Sequence, residues 1–198
     1  MIVDNEYDTI CIIWYYIIEY VIQTSGVLSM DKRKELNQIV KEAIAQSIFL
    51  LMDEKPFSEI TITEIIQKAG VARASFYRNF SYKEEAIAYY LIEKMRQFKL
   101  QNKQSGIKIY HYEAILNTMQ FVINYKNELK SLFTAGLSQI LLEAINAYLL
   151  EVYPVKSNHE AEKYILYSYG GSLFNIIYHW VSSGLHESPE EIARFICA

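Results

Sequence analysis

Between Lys68 and Lys83 the chain reads KAGVARASFYRNFSYK, which holds Lys68, Arg73, Arg78 and Lys83 and not one acid. The other residues carry 15 basic and 23 acidic side chains, so a formal net charge of -4 conceals a local reversal of sign. Lysine and arginine beside hydroxyls and a carboxamide offer hydrogen-bond donors to phosphate oxygens, and guanidinium groups can also read base edges in a major groove. A run of charge is ordinarily a solvated face, and four basic residues alone would indicate nothing more. The reading is strengthened by order along the chain: a capped helix, a glycine turn and inward-spaced aromatic residues accompany the acid-free window.

Seven glycines and three prolines in 198 residues leave few turns, and apolar residues recur at three- and four-residue spacing. The expected fold class is all-α. A first helix is expected over Lys32 to Met52, with Leu36, Val40, Ala43, Ile44, Ser47, Ile48 and Leu51 on one stripe. Pro56 prevents its continuation. Thr61 and Glu64 stand at capping-box spacing, so a short second helix should run from Ile62 to Ala69, with Gly70 as its left-handed stop. A third helix is expected over about Arg73 to Phe80, turning Val71, Phe76 and Phe80 inward. Arg73, Ala74, Tyr77 and Arg78 then face outward together, flanked by Ser75 and Asn79. Two short helices joined by a tight glycine turn make a helix-turn-helix.

The stretch ITITEIIQKAGVARASFYRNFSYKEEA resembles the DNA-binding region of the TetR family of bacterial transcriptional regulators, and the likeness extends over about Lys32 to Ala88. The resemblance implies a recognition helix in the major groove, with Arg73, Ser75 and Tyr77 at the DNA surface and Lys83 on the phosphate backbone. The candidate DNA-contacting set is Thr61, Arg73, Ala74, Ser75, Tyr77, Arg78, Asn79 and Lys83. Two positions depart from the family pattern. Ala72 stands where a serine commonly caps the recognition helix, and Asn79 stands where histidine is frequent.

Further helices are expected near Tyr112-Tyr125, Asn127-Phe133, Leu137-Val152, Glu160-Ser183 and Pro189-Cys197. Ser188-Pro189-Glu190-Glu191 supplies a cap, a proline at the first helical position and acids in the first turn. Tyr164, Ile165, Ser168, Gly171, Ser172, Phe174 and Asn175 combine small residues with apolar area, which suits close approach of another helix. Those residues alone leave intramolecular packing and a dimer equally open. The resemblance favours a homodimer through residues 137-152 and 160-183. More loosely, this half resembles the regulatory domain of dihydroxyacetone-kinase operon regulators, which implies a protein partner as one means of control. Its dense aromatic residues would equally suit a small amphipathic effector.

The expected domains are an N-terminal extension (1-30), the helix-turn-helix DNA-binding domain (31-83), a connecting helix and linker (84-104), and a helical effector-binding and dimerisation domain (105-198). Residues 1-29 hold four acids and no base, and are read either as a partner- or dimer-seeking amphipathic helix or, in preference, as an extension upstream of Met30. Their apolar run Ile10 to Ile22 spans only about 20 Å as a helix, so no membrane partner is expected. Two distant cysteines, Cys11 and Cys197, fit a reduced, cytoplasmic setting. No phosphate-cradling glycine loop, nucleophile elbow or His-Glu-x-x-His occurs, and His111, His159, His179 and His186 lack metal-ligand spacing. The expectation is a DNA-binding regulator on a pseudo-palindromic operator, with no catalytic residue, cofactor or metal. The rival is a helical adaptor of the same fold with little specific DNA binding.

Overall fold

The computed structural model describes residues 30–102, 111–153 and 161–197, and every regular element there is helical. Contacts divide the chain into two units, one ending at Tyr90 and one beginning at Leu91.

The first unit contains α1 (Met30–Met52), a 3-10 turn (Phe57–Glu59), α2 (Ile62–Ala69), α3 (Arg73–Asn79) and the start of α4 (Lys83–Asn102). Ile44 and Ile48 of α1, Ile65 of α2, Phe76 of α3 and Ile87 of α4 are fully buried. Each of the four helices thus commits at least one apolar side chain to the interior, and each such side chain contributes about 1.5–3 kcal/mol by leaving water. The expected α1 stripe is seen at Ile44, Ser47, Ile48 and Leu51, with Ala45 and Phe49 also buried. Phe49 meets the Tyr90 ring at 5.0 Å between centroids. The contact grouping places α4 as far as Tyr90 with this unit.

In the second unit α5 (Tyr112–Asn124), α6 (Lys126–Thr134), α7 (Ser138–Val152), α8 (Glu162–Ser183) and α9 (Pro189–Cys197) follow. Here α5 packs on α9, while α8 packs on α7 and α6. Gly170 lies at the α7–α8 contact: a Cβ there would lie 2.5 Å from Asn146 Oδ1 and 3.2 Å from Leu149 Cδ1. A methyl there would force the Asn146 side chain to shift and Leu149 and Ile145 to give way. α8 stops at Gly184, whose φ of 102° is left-handed. The start of α9 is built as its sequence indicates: Ser188 N–H donates to Glu191 Oε2 at 2.8 Å, and Glu191 N–H to Ser188 Oγ at 3.2 Å.

Helix bounds agree with the sequence reading to within two residues, α3 ending one residue early because Phe80 is extended (φ −142°). The readings placed on residues 1-29, on most of the linker, and on Tyr110 and His159 lie outside the described residues. Among the described residues no helix is long and apolar enough to cross a membrane, and no cluster of His, Cys, Asp or Glu could hold a metal ion.

Candidate nucleic-acid interface

The candidate surface depends first on how α2 and α3 are started and stopped. Thr61 is the N-cap of α2: its hydroxyl accepts from Glu64 N–H at 3.3 Å, while Glu64 Oε2 accepts from Thr61 N–H at 2.9 Å. Both halves of the capping box are therefore present. Glu64 also pairs with Lys55, and that hydrogen bond, with those from Thr61, holds its carboxyl down to about 2. Gly70 then adopts φ 64°, in the left-handed region that glycine enters without a Cβ clash, and Val71 N–H donates to Ile66 O at 3.0 Å. This turn redirects the chain into α3 within three residues.

α3 is anchored by the fully buried ring of Phe76 and by Phe80 just beyond its end, 6.1 Å apart between centroids. That anchoring turns the opposite face outward: Ala72, Arg73, Ala74, Tyr77 and Arg78 are exposed, and Ser75 and Asn79 half-buried. Tyr77 is 51% exposed despite its ring, which sets it apart from its buried neighbours.

The basic groups of the window have different partners. Lys68 pairs with Glu54 at 2.9 Å, so its charge is locally offset. Lys83 donates to the carbonyls of Phe57 and of Ile60 (2.9 Å) and lies 4.0 Å from the Phe57 ring centroid. It fastens the start of α4 to the 3-10 turn through two of its three N–H donors. Arg73 Nη1 donates to Thr63 Oγ1 and Nη2 to the Tyr77 hydroxyl, both at 3.2 Å, with the guanidinium 5.4 Å from the Tyr77 centroid. Arg78 Nη2 donates to Ser75 Oγ at 3.4 Å. Among the described residues neither arginine forms an ion pair with a carboxylate, so both keep their charge available to an anion.

At the two departures from the family pattern, Ala72 occupies the N-cap of α3 with no side-chain cap bond. Asn79 Nδ2 donates to Ser75 O at 2.8 Å, so its amide partly serves its own helix. Two further residues lie near the expected set. Thr63 orients Arg73 from α2, a contact ten residues apart that no local pattern signals. Tyr82 is 56% exposed between α3 and α4, and only its place in the acid-free window pointed to it.

A capped helix, a left-handed glycine turn and a second helix with an exposed basic face define a helix-turn-helix protein of the kind that regulates transcription. Comparison with known proteins agrees. Residues 49–88 match the family described as bacterial regulatory proteins, tetR family, and residues 110–198 match one described as transcriptional regulator C-terminal region. Both matched segments are thus similar to TetR-type transcriptional regulators. The chain is similar to an uncharacterized HTH-type transcriptional regulator of Haemophilus influenzae, 25% identical over 181 residues, covering 84% of this chain and 85% of that protein. Its fold is similar to the crystal structure of Lin0861 from Listeria innocua (TM-score 0.68, 15% identity, 86% of this chain and 92% of that one). A weaker likeness is to the dihydroxyacetone kinase operon activator DhaS (TM-score 0.49, 19% identity, 79% and 91%).

Proposed function

We propose that this regulator binds DNA as a homodimer, each protomer laying α3 in a major groove of a pseudo-palindromic operator. Arg73 reads a base edge. Tyr77, Arg78, Ser75, Asn79 and Lys83 meet phosphates, Ala74 lets the helix approach closely, and Thr61 positions the α2 terminus beside the backbone. The observation that carries this reading is the pair of exposed guanidiniums, Arg73 and Arg78, which lack carboxylate partners among the described residues and sit on a face held outward by Phe76.

The dimer is supported by α8. Tyr164 and Ile165 are 65% and 58% exposed, and Ser168, Asn175 and the open space over Gly171 continue the same face along three turns. That stripe has the small and apolar chemistry of a helix-helix interface, and the neighbouring Gly170 is the one used within the chain. A ligand of the second unit would control affinity, and work on chromosomal DNA would place the protein in the cytoplasm.

Fluorescence anisotropy of labelled genomic fragments against increasing salt tests the reading. Affinity should fall linearly on logarithmic axes as phosphate-bound counterions are replaced by Lys and Arg. Affinity that is weak at low salt and insensitive to salt would leave the fold without this function.

A further inference from the structure

The second unit contains a cleft of about 200 Å³ that the DNA-facing chemistry does not use, opening between α4 and α5. Its α5 wall carries Asn117, Gln120, Phe121 and Asn124, at spacings of three and four that align on one helix face. The opposite side of α5 is committed to the core through Ile115, Met119 and Val122. The α4 wall adds Gln97 and Phe98.

We propose that this cleft binds a small polyhydroxylated molecule, a polyol or sugar of triose to hexose size. Four carboxamides line it, each carrying N–H donors and a carbonyl acceptor, with Gln97 Oε1 already accepting from Lys94 at 3.4 Å. Hydroxyl groups, which donate and accept alternately, match that supply. The rings of Phe98, Phe121 and Tyr125 form a continuous wall, with centroids 4.8 Å and 4.7 Å apart in sequence. The weakly positive C–H face of a sugar fits against such electron-rich ring faces. The lining has no carboxylate and a single cation, Lys94, whose ammonium is 3.4 Å from Gln97 Oε1. A neutral polyol therefore suits it better than a polyacid. The volume equals that of about six or seven waters and is below the roughly 300 Å³ at which drug-sized apolar ligands begin, so a large amphipathic effector is disfavoured.

This proposal rests on the regulatory reading above in taking the ligand as the controlling signal.

The test uses the full chain with glucose, ribitol and glycerol as probes, 1-hexanol as an apolar control, ligand-observed NMR for binding and anisotropy for DNA affinity. At least one polyol should bind saturably, and Asn117→Leu and Gln120→Leu should each weaken it tenfold or more without lowering the melting temperature. DNA affinity should shift severalfold in saturating polyol. Absence of saturable binding by all three polyols, equal binding by the variants, or equal competition by hexanol overturns the site. Polyol binding that leaves DNA affinity unchanged overturns its controlling role, and polyol binding by a chain that retains no DNA overturns the regulatory reading while the site stands.

Discussion

Arg73 and Tyr77 touch each other, yet in the proposed function they do different work. A guanidinium can form two directed hydrogen bonds with one base, whereas a phenol hydroxyl meeting a phosphate carries no sequence information. Arg73→Ala should therefore narrow the gap between preferred and random DNA by about 1–3 kcal/mol, while Tyr77→Ala should weaken both nearly equally. Parallel binding curves on the two DNAs check this, and equal losses on both DNAs for both variants would refute the division. Thr63 holds Arg73 from α2 at 3.2 Å, so Thr63→Val should lose part of the same discrimination and Thr63→Ser should keep it. The exposed face of α3 was legible in the sequence because helical spacing separates Phe76 from Tyr77. The contacts of Arg73 and Lys83 with residues ten and more positions away were not, because they depend on how α2 and α4 pack.

At the scale of elements, helix ends and one close approach each add to the stability of the packed core. The Glu64 carboxyl is held at about 2, well below its ordinary 4.5, by Lys55 first and then Thr61. The ionised form is the favoured one in the folded protein, so its stabilisation is complete above about 4.5 and disappears as pH falls toward 2. The wild-type melting temperature should drop more over that interval than that of Glu64→Gln; parallel curves would contradict the capping role. At the uncapped start of α3, Ala72→Ser should supply the missing acceptor and add about 1 kcal/mol. Calorimetry should then show a rise of roughly 2–4 °C. In α8, Gly170→Ala should destabilise by about 1–3 kcal/mol in denaturant titration, since Asn146, Leu149 and Ile145 all crowd the new methyl. Thr61, Gly70, Ser188 and Pro189 announced their helix ends in sequence because caps are local. Which of two adjacent glycines faces α7 was not legible, because helical phase relative to a neighbour is a tertiary property.

For the whole molecule, a charge of -4 does not oppose DNA binding when the acids lie away from the recognition face. Light scattering should give twice the chain mass, and Gly171→Arg should yield folded monomers with weakened operator binding, because the residue faces open space within its own chain. The central claim is that two copies of α3 are presented about one helical turn apart, roughly 34–36 Å. It is tested most directly by sequencing genomic fragments retained by the purified protein at physiological salt. The account predicts an enriched motif of two inverted half-sites whose centres lie about 10–10.5 base pairs, or a multiple of that, apart. Retained fragments that share no symmetric motif would contradict it.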